Sequence, residues 1–293
     1  MNAVLVIDKP AGLTSHDVVN RVRRILQQKS VGHLGTLDPS ATGVLPIVVG
    51  NLTRLAQFYT HSDKSYEGII RFGFATDTYD ADGEATSAAQ PVTLELEELR
   101  QTGAAFRGRI QQMPPPFSAK KIAGVPAYKI ARKKQPVELK AVEVEIKEFE
   151  VLDVERDCAR FRAAVSSGTY LRSVAHELGQ KLGCGAHLKS LRRTAVAEFV
   201  LAEAHSLDEL EDAARKGTAF TLAVHPRELL PQLPCVTANE ESATLIRHGR
   251  AVNLPEMSKA KRVKIFYGQR DLIAIGRRVA GTLFHPEIVL GAE

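Results

Sequence analysis

The chain has 293 residues, 44% of them hydrophobic and 25% charged, with a formal net charge of +5. That length supports one large core and a smaller second one, and a mildly basic balance suits a polyanionic partner without demanding one. Cys158, Cys184 and Cys235 are too scattered for a disulfide framework or a zinc knuckle, the N-terminal apolar stretch is too short for a signal peptide, and no apolar run approaches the ~20 residues that span a bilayer; a cytoplasmic protein is expected.

Taken in chain order, "AVLVID" (3–8) reads as a short buried strand. "KPAGLTSHD" then forms a loop in which Thr14 or Ser15 can cap a helix. In that helix Val18, Val19, Val22, Ile25 and Leu26 share one face, and Arg21, Arg23 and Arg24 fall mainly on the other. Residues 32–43 are a glycine-rich loop and 44–49 a strand. Further strands are predicted over 65–74, over the alternating stretch around Val142, Val144 and Ile146, and over 158–168. Helices are predicted over 94–106 and over 169–183, the latter closed by Gly183. "LLPQLP" (229–234) reads as a linker, and the short, glycine-punctuated strands after it suggest a small, mostly β domain.

The loop "GHLGTLDPSATG" holds a single carboxylate, Asp38, between closely spaced glycines. Two readings stand. Asp38 before Pro39 can be a helix N-cap. It can also be an exposed carboxylate on a rigid loop, fit to act as nucleophile or base beside a ligand that the glycines let approach. Arg172, in "SSGTYLRS", is either a solvated helix arginine or the partner of a buried carboxylate. In the second case the attraction is roughly 4 kcal/mol before desolvation, at ~4 Å and an effective dielectric of ~20, and it keeps the carboxylate ionised.

Tyr66, Tyr170, Phe74 and Phe117 are core residues or platforms on which an unstacked base can stack. Basic groups recur as "RVRR" (21–24), "AKK" (119–121), "ARKK" (131–134), "LRR" (191–193), "KAKRVK" (259–264) and "RR" (277–278). Each alone fits a solvated face, but together they point to nucleic acid. "TYDADGEATSAA" (78–89) resembles half a calcium loop, yet Thr78 stands at the first ligand position and Ala89 at the twelfth. With no P-loop, no phosphate-binding GxGxxG and no HExxH, neither a cofactor nor a metal is expected.

Five ordered blocks carry a family resemblance: "DKP" with "GLTSHDVVNRVRR", "VGHLGTLDPSATGVLPIVVGNLTRL", "KSYEGIIRFGFATDTYDADGE", "GRIQQMPPPFSAKKIAGVPAYKIAR" and "SSGTYLRSVAHELGQKLGCGAHLKSLRRTAVAEF". The chain resembles the TruB family of bacterial tRNA pseudouridine synthases over nearly its whole length. The resemblance implies an α+β pseudouridine synthase fold, with a large mixed, mainly antiparallel sheet flanked by helices. It implies a catalytic domain over 1–230 and a small PUA-like RNA-binding domain over 235–293. The implied activity is isomerisation of uridine 55 in the T-arm loop of tRNA by a cofactor-free monomer that binds no metal and no membrane. The implied catalytic residues are Asp38, Arg172 paired with it, and Tyr66, stacked on the target base and able to act at the sugar. The implied substrate-binding residues are His33, which helps hold the opened loop, Tyr170 and Leu191, which line the uracil pocket, and Gly35, Lys9 and Lys120.

Two other classes remain open on sequence alone. A non-catalytic tRNA-binding or RNA-folding module needs only the same basic surface and stacking residues. A carboxylate hydrolase needs a second placed acid or a metal, which the acids of the TDTxDxxG stretch could supply only if the fold brings them to Asp38.

Overall fold

A computed structural model describes residues 1–118, 121–122, 125–126, 130 and 139–291. Its elements run β1 (Ala3–Lys9), α1 (Ser15–Ile25), β2 (Val31–His33), β3 (Thr42–Val49), β4 (Lys64–Phe72), α2 (Leu96–Ala104), β5 (Gly108–Gln112), β6 (Lys121–Ile122), β7 (Val125–Pro126), β8 (Val142–Glu155), β9 (Cys158–Val165), α3 (Leu171–Lys181), β10 (Ala186–Val196) and β11 (Phe199–Val200). They continue as α4 (Leu207–Arg215), β12 (Cys235–Ala238), α5 (Glu240–Arg247), β13 (Val252–Asn253), β14 (Arg262–Tyr267), β15 (Asp271–Ala280) and β16 (Leu283–Val289). Contacts divide the chain into two compact units, one of Met1–Asp38, Val44–Thr60 and Glu198–Glu293, the other of Pro39–Gly43 and His61–Ala197.

In the first unit β1 lies beside β3, and β2 pairs antiparallel with β3 through Val31–Val49 and His33–Ile47. Both long strands are apolar over most of their length, residues 3–7 of β1 and 44–49 of β3, because neither face meets solvent there. Leu5, Ile7, Leu45 and Ile47 pack in one core with Val18, Val19 and Val22 of α1 and with Leu207 and Leu210 of α4. The helical spacing of the three valines is what turns that face inward. Of the two candidate caps, Thr14 takes the N-cap position and closes a capping box with Asp17, while Ser15 begins the helix proper. The opposite face is partly consumed within the fold. Arg21 pairs with Asp208 and Glu211 of α4, and Arg23 donates to the carbonyls of Lys29 and Val31.

The expected small β domain is a five-stranded sheet in the order β12-β14-β15-β16-β13, with its own core around Ile246, Val263, Ile265, Ile273 and Phe284. The stretch read as a linker packs into the fold, with Leu229 and Leu230 buried. The Leu230 N–H donates to Glu198 Oε1 at 2.8 Å, the Tyr59 hydroxyl donates to that same oxygen at 2.5 Å, and Lys264 Nζ donates to the carbonyls of Arg227 and Leu229. Two prolines suggest a spacer, but two adjacent leucines have apolar surface to bury, and burial decides. Asn51 and Arg54 also donate to the carbonyls of Leu290 and Val289, so the contact-based division does not fall at 230–235.

In the second unit β5, β8, β9, β4 and β10 form an antiparallel array in that order. Thr42 and Gly43, the first residues of β3, add in parallel beside Arg192 and Arg193 of β10. Phe149 and Phe161 stack at 5.3 Å between ring centroids, with Phe106 tilted against Phe149. Strand β8 runs well past the alternation legible around Val142–Ile146. Its later charges pair across the ladder, Glu150 with Arg162 and Asp153 with Arg160, and so extend the strand with polar partners.

Candidate functional site

The loop before Asp38 is fastened residue by residue. The Leu34 N–H donates to the Pro46 carbonyl at 2.9 Å, the Gly35 N–H to His33 Nδ1 at 3.3 Å, and the Leu37 N–H to Ser15 Oγ at 2.8 Å. Ser15 Oγ in turn donates to the Leu37 carbonyl at 3.2 Å. Leu34 and Leu37 are both buried, so two apolar anchors alternate with the polar ties. Gly35 has φ +118°, a conformation that a side chain makes costly. Asp38 itself is half-buried. No helix follows it: Pro39 and Ser40 bend, and β3 begins at Thr42. The N-cap reading of Asp38 is therefore set aside, and the carboxylate sits at the end of a loop fastened at Leu34, Gly35 and Leu37.

Lys9 is fully buried, with its Nζ donating to the carbonyls of Pro10 and Leu13, the residue before the Thr14 cap. These bonds fasten the turn that leads into α1. An ammonium has three donors, and two carbonyls of its own loop lie within reach.

Tyr66 sits near the start of β4, buried, opposite Ala163 of β9 on one side and Arg193 of β10 on the other. The sequence places Arg193 in a basic surface group. The structure buries it completely and sets its guanidinium against the Tyr66 hydroxyl. Burial pushes the Arg193 pKa down while the tyrosine oxygen pulls it back, and a guanidinium keeps its proton regardless. Lys64, two residues before Tyr66, has its pKa pushed down to about 8, first by burial and then by Arg193. Gly43 makes this arrangement possible: with φ +101°, a Cβ there would lie 2.2 Å from the Arg193 carbonyl oxygen. Leu191, half-buried, stands opposite Gly68 two residues along the same ladder.

Arg172 lies at the start of α3 and is 5% exposed. It donates to the carbonyls of Thr78 at 3.1 Å and Phe117 at 3.0 Å, and ion-pairs with Asp80 at 3.4 Å. Asp80 belongs to the TDTxDxxG stretch. Its Oδ1 accepts from Thr78 Oγ1 at 2.6 Å and from the Asp82 N–H at 3.1 Å, while Asp77 Oδ1 accepts from the Glu84 N–H at 2.9 Å. Both acids thus take part in holding their own turn, and Asp80 ties it to Arg172 as well. Among the described residues no cluster of three potential metal ligands occurs.

Tyr170, half-buried, precedes Arg172, and its backbone N–H and carbonyl both bond to the buried side-chain amide of Gln112, at 2.8 and 3.0 Å. Ser173 Oγ donates to the Met113 carbonyl at 2.7 Å. The "QQM" stretch therefore fixes the start of α3 from the side. Phe74 packs on His187, and Arg71 lies over its ring, so the ring is partnered within the fold. Phe117 enters the site through its carbonyl. Lys120 lies outside the described residues. Sequence reasoning missed Ser15, Asp80, Gln112 and Arg193. Each lay inside a quoted block, but their partners are 22, 92, 58 and 127 positions away, so only folding reveals the pairing.

The basic groups divide once folded. In the C-terminal sheet Lys264 is buried and Arg262 is held bidentately by Glu287, whereas Lys259, Lys261 and Arg277 stay exposed. Only the exposed cations can meet a polyanion.

The sequence matches the family described as TruB family pseudouridylate synthase (N terminal domain) over residues 23–171, and the tRNA pseudouridylate synthase B C-terminal domain over 172–230. It is 50% identical over 293 residues to a tRNA pseudouridine synthase B of Solibacter usitatus, covering 99% of this chain and all of that one. It is 42% identical over 249 residues to the protein of that name from Geobacter sulfurreducens, covering 85% of this chain and 82% of the relative. Among solved structures it is similar to an H/ACA RNP bound to a substrate RNA containing 2'-deoxyuridine, with a TM-score of 0.71 and 25% identity over 99% of this chain and 85% of that one. A Cbf5-Nop10-Gar1 complex gives a TM-score of 0.72 at the same identity and coverage.

Proposed function

We infer the function from one premise: the chain belongs to the TruB family of pseudouridylate synthases. It is a tRNA pseudouridine synthase, an isomerase that turns uridine in tRNA into pseudouridine. We propose uridine 55 of the T-arm loop as its target. We further propose Asp38, Tyr66 and Arg172 as the catalytic residues, with His33, Gly35, Tyr170 and Leu191 at the substrate.

In the reaction the N1–C1′ bond breaks, the uracil turns, and a C5–C1′ bond forms; the proton leaves C5 and N1 gains one. Bonds are exchanged and nothing is added. The base must leave the folded loop to be reached. A single carboxylate serves each available route: attack on C1′, attack on C6 of the ring, or removal of a proton from the sugar. Arg172, anchored by two carbonyls and Asp80, supplies a fixed positive charge that favours ionised carboxylates around it. Tyr66 offers a ring to stack on and a hydroxyl at which a proton can be held.

We also propose residues 1–230 as the synthase part and 235–293 as a small PUA-like RNA-binding part, in a cytoplasmic monomer. No helix among the described residues is long and apolar enough to cross a membrane.

The observation that carries this reading is the fastening of Asp38. Its loop is tied at Leu34, Gly35 and Leu37, and no helix follows for the carboxylate to cap. The test is Asp38→Asn on an unmodified tRNA transcript, with a pseudouridine-specific chemical readout. Product formation is expected to vanish while tRNA affinity stays within a few-fold. Substantial turnover by the purified variant would overturn the catalytic role, and tRNA binding without turnover by the wild type would leave only the RNA-binding module.

A further inference from the structure

Ser15 stands 23 positions before Asp38 in sequence, yet its side chain is committed to the peptide next to it. A serine at the first position of a helix usually faces solvent or shares the capping. Here Thr14 does the capping: its hydroxyl accepts from the Asp17 N–H, and the Asp17 carboxylate accepts from the Thr14 N–H. The Ser15 hydroxyl is thus released from the helix end, and it is 3% exposed.

That hydroxyl makes two bonds to one residue. It accepts from the Leu37 N–H at 2.8 Å and donates to the Leu37 carbonyl at 3.2 Å. Tying both polar groups of a single residue to one atom limits rotation about both of its backbone dihedrals. The Leu37 carbonyl also belongs to the peptide plane that carries the Asp38 nitrogen, so fixing it fixes the plane from which the Asp38 side chain departs. On the other side Pro39 restricts the Asp38 backbone toward extended conformations. Ser15 itself is held by α1, whose Val18, Val19 and Val22 are locked in the core, and by the preceding turn, which Lys9 fastens at Leu13.

We propose that Ser15 is a positioning residue for Asp38: its buried hydroxyl, bonded to both polar groups of Leu37, sets the orientation of the carboxylate. The assignment rests on the catalytic role given to Asp38 above. It accounts for the DKPAGLTS block of the sequence, which supplies the turn, the cap and the clamp.

A misplacement of about 1 Å can cost ~10²-fold in rate without altering binding. Ser15→Ala is therefore expected to slow single-turnover pseudouridine formation by about ten- to a hundredfold, with tRNA affinity unchanged within about twofold. Hydrogen exchange at the Leu37 amide should accelerate in the same variant, because its acceptor is gone. Should the alanine variant not fold, Ser15→Cys fills the site with a weakly bonding thiol and is read the same way. A wild-type single-turnover rate in a folded variant overturns the proposal, and so does unchanged protection at Leu37. Asp38→Asn is assayed alongside. If it retains turnover, the catalytic reading has failed, while Leu37 exchange still reports independently whether Ser15 holds the loop.

Discussion

Tyr66 and Arg193 face each other across β4 and β10, and the fully buried guanidinium bonds to the tyrosine hydroxyl. A guanidinium only donates, so in this pair the hydroxyl oxygen is the acceptor. Two effects of Tyr66→Phe are therefore separable. Loss of an acceptor for a buried cation should cost ~1–3 kcal/mol of stability, seen in denaturant unfolding. Loss of the hydroxyl should cut the single-turnover rate by at least about a hundredfold, with tRNA affinity nearly intact. If the rate stays near wild type, Tyr66 is a stacking platform only, and proton transfer passes to another group, Asp38 first.

Lys64 shares that environment, and its pKa of about 8 lies below the ordinary lysine value of 10.5. The folded state therefore releases this proton more easily than the unfolded chain does. Between about pH 8 and 10.5 the unfolded state binds more protons, so this group makes stability rise with pH across that window. Below pH 8 both states hold the proton, and the burial of charge is a cost that the bond to the Ser62 carbonyl and the nearby Asp63 offset only in part. Lys64→Met should then stabilise the protein at pH 7, and the gain should shrink as pH climbs toward 10.5. The readout is the difference in unfolding free energy between wild type and variant, taken at several pH values so that other titrating groups cancel. A difference that is flat in pH would show that the Lys64 proton is not linked to folding.

The strands and helices were legible because their apolar spacing is local. The valines of α1, the unbroken runs of β1 and β3, and Gly183 closing α3 all declare themselves within a dozen residues. The site was legible in part. Asp38, Tyr66 and Arg172 lie in blocks whose resemblance to a family names them. Arg193 was read as surface because nothing in "LRR" distinguishes a buried arginine from a solvated one; its fate depends on Tyr66, 127 positions earlier. Lys264 was misread for the same reason, since its acceptors are carbonyls of a connector that the sequence presents as a spacer.

That connector is held by a shared oxygen. Glu198 Oε1 accepts from both the Tyr59 hydroxyl and the Leu230 N–H, and burial together with the carboxylate pushes the Tyr59 pKa up. Tyr59→Phe removes one of the two donors without changing shape. It should lower stability by about 1.5–3 kcal/mol, as expected for a hydrogen bond to a charged group, and should speed proteolysis near residues 229–234. Catalysis on bound tRNA should be unaffected at temperatures where the variant is folded. A variant as stable and as protease-resistant as wild type would mean that the leucines alone hold the connector.

The contribution of the C-terminal sheet to RNA binding is best tested by substitution rather than by ending the chain near Pro234. Truncation would remove Lys264 from the carbonyls of Arg227 and Leu229 and strip the packing from two buried leucines, so any loss of binding would be confounded with misfolding. Lys259 and Lys261 are exposed, and the turn that carries them is held from below by Arg278, which donates to the carbonyls of Ser258 and Ala260. Replacing both lysines with serine should therefore leave the fold intact. Each phosphate contact releases roughly one counterion, so losing two should make log K against log salt less steep by about 1.5–2 units. Affinity should fall most at low salt, where those contacts count most, and the single-turnover rate at saturating enzyme should stay at the wild-type value. An unchanged slope together with unchanged affinity would remove these two lysines from the RNA-binding surface and leave Arg277, exposed on β15, as the next cation to substitute.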